Sequence, residues 1–204
     1  VVAVLLSSAL SGTFQGACIA REMMEPEDAA HIHLVDSLSA TVGERLLLLH
    51  AAALRDAGAA AAEIAAELTE LRRRITIWAS VDTLEYLYKG GRLSRTAAGV
   101  GSLAKVKPII TVTGEGHVTV QKKCIGKSRC MSEITALTES RRPDPSCPVF
   151  GLYSFDAHNC DALAGRLAAC GFFIAPDHYL EIGPTIGAHI GPNAYGVAYI
   201  AAEE

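Results

Sequence analysis

From Val1 to Val81, blocks of strand length alternate with blocks of helical period, and this alternation constrains the fold of the 204-residue chain more than any other feature. Val1–Leu6 is a short, continuous apolar run, the pattern of a strand covered on both faces. A turn containing Ser7, Ser8, Ser11 and Gly12 follows, and Thr13–Met24 then reads as a helix. His31–Val35 is a second strand. Ser39 is expected to cap a helix over Glu44–Asp56 that stops at Gly58. In Ala59–Arg73, Ile64, Leu68 and Leu71 fall on one stripe while Glu63, Glu67, Glu70 and Arg74 face water, as in an amphipathic helix. Ile75–Val81 supplies a third strand. Strand–helix alternation of this kind implies a parallel, doubly wound sheet.

After Asp82 the pattern changes. Thr83–Tyr88 is helical and leads into Lys89-Gly90-Gly91-Arg92, followed by a short helix over Ser94–Leu103. Strands Pro108–Val112 and His117–Gln121 flank Thr113-Gly114-Glu115-Gly116, a hairpin signal. Next come a helix over Lys127–Ser140, a proline-bearing loop over Arg141–Pro148, a strand over Val149–Ser154 and a helix over Cys160–Cys170 stopped at Gly171. Phe172–Ile174, Tyr179–Ile182 and Val197–Ala201 read as further strands. The expected architecture is α/β with two domains: a doubly wound parallel-sheet domain over residues 1–82, and an α+β domain with a mixed sheet over residues 83–204.

Composition removes several classes of function. With 18 Lys+Arg against 22 Asp+Glu, the net charge is −4 and no basic excess is available to wrap nucleic acid. No apolar run approaches the ~20 residues of a membrane-spanning helix, so no stable membrane insertion is expected. The six cysteines, Cys18, Cys124, Cys130, Cys147, Cys160 and Cys170, form no C-x-x-C pair; reduced, mostly buried thiols in a cytoplasmic chain are expected instead of a zinc site. His31 and His33 lie two apart on a strand without a third ligand nearby in sequence. No metal and no cofactor are expected.

Three segments carry chemistry. Leu6–Gln15 takes a parallel strand through a Ser/Gly turn into a helix, whose free N–H groups and dipole favour an anion. Ser11 adds a hydroxyl there, and Gly12 lets a ligand approach the backbone; an ordinary helix cap is the alternative. In Lys89–Arg92 the paired glycines bring backbone close to a neighbour and Arg92 suits a carboxylate or phosphate, unless the segment is a hinge with a solvated cation. In Ile182–Pro192, glycine and proline punctuate an apolar stretch holding His189, a composition that suits a tight turn beside a ligand or an interface. His189 is then a hydrogen-bond donor or a satisfied core histidine. No P-loop and no Gly-x-Ser-x-Gly elbow surrounds Ser11.

Taken in order, SSALSGTFQGA (Ser7–Ala17), VDSLSATVG (Val35–Gly43), LEYLYKGGRLS (Leu84–Ser94), GSLAKVKPI (Gly101–Ile109) and GPTIGAHIGP (Gly183–Pro192) resemble the DegV family of bacterial fatty-acid-binding proteins. The resemblance implies two α/β domains with a long apolar tunnel between them and one acyl chain, such as palmitate, inside. Its carboxylate would lie at the domain junction, presented to a separate fatty-acid kinase that phosphorylates it with ATP. The protein would be a carrier, not an enzyme. Carried over, Ser11 becomes the carboxylate-binding hydroxyl, with Gly12 and Thr13 beside it; His189 lies near the same head group, and Arg92 near the kinase-facing entrance. Val1 corresponds to an internal strand of the family pattern, so the resemblance implies a chain without the opening strand–helix–strand block and its second carboxylate-binding hydroxyl. Ile125 stands where the family carries an arginine, which weakens a docking role there, and Asn193 replaces the last glycine of Gly-Pro-Gly, a minor change because Asn tolerates a left-handed backbone. Two alternatives remain: a Ser11/His189 acyl-ester hydrolase, and a shortened chain that binds nothing.

Overall fold

The computed structural model describes residues 1–94 and 106–203. Its contacts resolve two compact units, Val1–Ile75 with Thr113–His117, and Thr76–Val112 with Val118–Glu204. The contacts divide the chain between Ile75 and Thr76, ahead of the Asp82 boundary expected from the sequence, and give the hairpin tip to the first unit.

In the first unit, β1 (Val2–Leu5) pairs in parallel with β2 (His33–Asp36), with Val2 opposite His33 and Leu5 opposite Asp36. Between them lie α1 (Thr13–Glu22) and a single turn, α2 (Pro26–Ala29), begun by a proline at its first position. Helices α3 (Val42–Asp56) and α4 (Ala61–Leu71) pack on β1 and on each other, and α4 also on β2. Val35, Leu46, Leu47, Ile64, Leu68 and Leu71 are buried, so the expected stripe of α4 is the face that packs. Glu63 accepts from the Ala60 N–H at 2.9 Å and secures the start of α4. Gly58, at φ 91°, ends α3 as anticipated. Ser39 does not cap α3: Thr41 holds that position, and Ser39 is buried with its hydroxyl where a Cβ on Gly43 would sit, 1.9 Å away.

The second unit is built on a six-stranded sheet in the order β5-β4-β3-β8-β6-β7. Here β3 is Ile75–Ser80, β4 is Val106–Val112, β5 is Val118–Ile125, β6 is Phe150–Tyr153, β7 is Tyr179–Glu181 and β8 is Tyr195–Ile200. β4 runs antiparallel to β3 and β5, β6 antiparallel to β8, and β6 parallel to β7, so the sheet is mixed. Helices α6 (Lys127–Ser140) and α7 (His158–Ala169) pack on it, burying Trp78, Ile109, Ile134, Leu163, Leu167, Val197 and Tyr199 in one core. Two short helices, α5 (Glu85–Lys89) and α8 (Pro184–Ile190), pack against each other.

Three expectations change. Ile75–Ser80 belongs to this mixed sheet, pairing through Ala79 and Ser80 with β4, and not to the parallel sheet of the first unit. Phe172–Ile174 is not a strand: Gly171 at φ 87° ends α7, the Phe172 N–H bonds to the Leu167 carbonyl at 3.0 Å, and the buried Phe172 ring is the apolar contact that accompanies such a cap. Gly183–Pro192 is not a turn but carries α8, with Pro184 at its first position and Gly191 (φ 76°) after its last. The helix expected over Ser94–Leu103, and most of the Gly101–Ile109 segment, lie outside the described residues.

Asp82 follows β3 and ties three stretches of the second unit together. Its Oδ1 accepts from Lys107 Nζ at 2.8 Å and its Oδ2 from Asn193 Nδ2 at 3.1 Å. Burial alone would raise the carboxyl, but the bonds from Lys107 and Asn193 and the charges of Lys107 and Lys127 hold it below the usual carboxylate range. A depressed native value contributes stability that is complete above the ordinary carboxylate value of 3.8 and is lost as the pH falls through the native one. The urea midpoint of the wild type is therefore expected to exceed that of Asp82→Asn at pH 6, with the gap closing below about pH 4. A gap that persists unchanged into acid would show that the carboxylate charge is not what stabilises the unit.

Candidate functional site

In the first unit, the carboxyl end of β1 feeds a turn that is tied down on every side. Ser7 is buried; its N–H donates to the Ser39 carbonyl at 2.9 Å and its Oγ to the Gly116 carbonyl at 2.9 Å. Gly116, at φ 82°, leaves no room for a side chain, since a Cβ there would lie 2.1 Å from Ser7 Oγ. Asp36, at the end of β2, accepts from the Ser8 N–H at 3.1 Å and the Leu38 N–H at 3.0 Å, joining the loops that leave both strands. Arg72 donates to the Asp36 carbonyl at 2.6 Å. Leu38 and Thr41 hold left-handed backbone angles (φ 48° and 51°), strain that persists only where the surroundings fix it.

That frame sets up the start of α1. Gly12, the N-cap, has no side chain with which to satisfy the first helical amides. Ser11, one residue earlier, accepts from the Thr13 N–H at 3.3 Å, and the two hydroxyls lie 2.8 Å apart. Gly12 and Thr13 are exposed and Ser11 half-buried. The turn thus sets two hydroxyls, one bonded to the other, beside a helix N-terminus, an arrangement that favours an anion.

In the second unit, α5 and α8 bring the other two segments together. Arg92 is exposed, and its Nη1 donates to the Gly90 carbonyl at 2.7 Å. His189, on α8, lies against Gly90: a Cβ on that glycine would be 2.1 Å from His189 Nδ1. The Tyr86 ring lies as closely against Gly191, where a Cβ would fall 2.4 Å from Tyr86 Cδ2. Buried Ser154 donates to the Gly191 carbonyl at 2.9 Å and accepts from the Ala194 N–H at 2.9 Å, fixing the end of α8. Beside it an open cleft of about 570 Å³ is lined by Tyr86, Phe155, Glu181, Ile182, Pro184 and Pro192 among others. Phe155 is 77% exposed and held at φ 67° by a tight turn in which Asp156 N–H bonds to the Ser154 carbonyl at 2.9 Å.

Ser11, Gly12 and Thr13 therefore fall together in one unit, and His189 and Arg92 both border Gly90 in the other. Sequence reasoning missed Asp36, Tyr86 and Ser154, which shape the two loops; an Asp ending a strand was the one available signal, through the Asx-type turn that it builds. The six cysteines are free, with Cys124, Cys130 and Cys160 buried. Burial pushes the Cys130 and Cys160 thiols up to about 12, far from a reactive thiolate. Among the described residues no group of His, Cys, Asp and Glu could hold a metal ion, and no helix is long and apolar enough to cross a membrane.

Comparison with known proteins places these features in context. The pattern described as "Uncharacterised protein, DegV family" matches residues 1–202. A DegV domain-containing protein of Streptococcus pyogenes serotype M1 is 35% identical over 195 residues, which are 95% of this chain and 67% of that protein. Among solved structures, a DegV family protein from Thermus thermophilus, described for its fatty acid binding, is 30% identical with a TM-score of 0.83, over 98% of this chain and 70% of that one. A DegV family protein from Eubacterium eligens loaded with heptadecanoic acid shares the fold with a TM-score of 0.86 at 18% identity, over 98% of this chain and 72% of that one.

Proposed function

The chain belongs to the DegV family, and from that premise we propose that it binds a long-chain fatty acid of the palmitate type as a non-enzymatic carrier. Ser11, Gly12 and Thr13 receive the carboxylate at the start of α1. The observation that carries this reading is the paired Ser11 and Thr13 hydroxyls, 2.8 Å apart on a helix N-terminus at the carboxyl end of a parallel strand. A carboxylate leaving water needs such partners, and a fatty acid needs few others. The bound acid is presented in the cytoplasm to a fatty-acid kinase, for which exposed Arg92 is a contact suited to phosphate.

Organic extraction of the purified protein followed by mass spectrometry tests this directly. Roughly one long-chain acid per chain is expected from the wild type, and at least about ten-fold less from Ser11→Ala, the loss expected for a hydrogen bond to a charged group. A wild-type protein that yields no acid and takes up no added palmitate would sink the proposal.

A further inference from the structure

The tip of the β4–β5 hairpin, Thr113–His117, belongs to the first unit and is braced by its own bonds. The Gly116 N–H donates to the Thr113 carbonyl at 2.9 Å, and the Thr113 N–H to the His117 carbonyl at 2.8 Å. Thr113 Oγ1 accepts from the Glu115 and His117 N–H groups, each at 3.3 Å. The Gly116 carbonyl is thereby held in one direction, and what it meets there is the buried hydroxyl of Ser7, 109 residues earlier.

A serine hydroxyl has one proton to give, and the Gly116 carbonyl takes that of Ser7 at 2.9 Å. A lone pair on the same oxygen is left for the Ala9 N–H, at 3.3 Å. The Ser7 carbonyl accepts from the Leu10 and Ser11 N–H groups at 2.9 and 3.0 Å, and Asp36 accepts from the Ser8 N–H at 3.1 Å. Every N–H from Ser8 to Ser11 is thus bound, three of the four to Ser7 itself. Ser7 therefore sets the place of Ser11, and the hairpin tip sets the direction of the Ser7 hydroxyl.

From this geometry we infer that Gly116 is a positioning residue for the anion-binding turn: through the Ser7 hydroxyl it fixes where Ser11 and Thr13 present their oxygens. Position 116 needs glycine twice over. Its φ of 82° is left-handed, and a Cβ there would overlap Ser7 Oγ and fall 3.2 Å from both Cα and Cδ2 of Leu38. Gly114, in the same tip, supplies the contrast: it is exposed, with nothing within 4 Å of its missing Cβ. The anion in this inference rests on the fatty-acid reading above; the link from Gly116 through Ser7 to Ser11 rests on the hydrogen bonds alone.

The test measures binding of palmitate and of hexadecanol, an uncharged alcohol of the same chain length, to the delipidated full chain and its variants. The wild type is expected to prefer palmitate by about ten-fold or more. Gly116→Ala, Ser7→Ala and Ser11→Ala should each remove most of that preference, and Gly116→Ala/Ser11→Ala little more than either alone, as for residues acting in series. Gly114→Ala should keep it within about two-fold. Ser7→Ala takes the hydroxyl away without crowding the hairpin, so the inference stays testable where Gly116→Ala fails to fold. In amide NMR of the empty chain, the Ser11 and Thr13 resonances are expected to move in Gly116→Ala and Ser7→Ala and to stay in place in Gly114→Ala. A glycine with a purely structural role would weaken both ligands alike; an unchanged preference in Gly116→Ala and Ser7→Ala therefore overturns the inference and leaves the fatty-acid reading intact. A wild type that takes up neither ligand, with Ser11 and Thr13 resonances that still move in the two variants, would support the positioning role and overturn the fatty-acid reading.

Discussion

Gly196→Ala is expected to lower the unfolding free energy of the second unit by about 3 kcal/mol, although it adds one methyl group. Gly196 lies in β8, between β3 and β6, and is buried. A Cβ there would lie 2.2 Å from the Trp78 carbonyl oxygen, 2.7 Å from the Ala79 Cα and 3.0 Å from the Ala79 Cβ. These are backbone and near-backbone atoms, so no rotamer change makes room and the strand itself must shift. Gly165 is the matched control. It sits exposed on α7 with nothing within 4 Å of its missing Cβ. There the same substitution removes only glycine's backbone freedom and is expected to stabilise by about 0.5–1 kcal/mol. Both are measured by urea unfolding followed through Trp78, the chain's single tryptophan. A Gly196→Ala protein as stable as the wild type would mean that β3 and β8 do not approach as closely as described.

The same pair of strands shows where the sequence stops being informative. The helical stripe of α4 was legible because Ile64, Leu68 and Leu71 repeat with the helix period and their burial follows from it. β3 was legible as a strand, but its partner was not. A run such as Ile75–Ser80 records that both faces are covered without recording which strand lies beside it, and that choice is made by β4, which returns some thirty residues later to place Ile110 opposite Ala79. The helix α8 was hidden for a different reason. Seven residues give barely two turns, and the glycines and prolines that mark its ends look in sequence like a loop.

The candidate site divides in the same way. Ser11 could be singled out because a strand, a serine-rich turn and a helix follow one another along the chain, and the local geometry follows from that order. Gly116 could not, since its partner Ser7 is distant in sequence, and for Asp36 only the local turn to Leu38 was legible, not its bond to Ser8. Paired Gly90 and Gly91 carry two unrelated requirements, space for a ring and a left-handed backbone, and a glycine in a sequence does not say which it serves.

Tyr199→Phe is expected to cost about 2–3 kcal/mol while leaving the packing volume nearly unchanged. The Tyr199 hydroxyl is buried in the core, accepts from Trp78 Nε1 at 2.9 Å and donates to the Arg141 carbonyl at 2.7 Å. Phenylalanine fills the same space but leaves the Trp78 N–H buried without its acceptor, and an orphaned donor costs more than the bond itself is worth. Two measurements separate this from a packing effect. In the Trp78→Phe background, where no indole N–H remains, Tyr199→Phe is expected to cost less than about 1 kcal/mol. Burial also pushes the Tyr199 hydroxyl up to about 12 from its ordinary 10.0, so the native state holds this proton more tightly than the unfolded chain. That contribution is complete below pH 10.0 and is lost as the pH rises towards 12. The wild type should therefore lose its advantage over Tyr199→Phe across that alkaline interval. A gap between the two proteins that is independent of pH and survives in the Trp78→Phe background would assign the loss to packing rather than to the hydrogen bond.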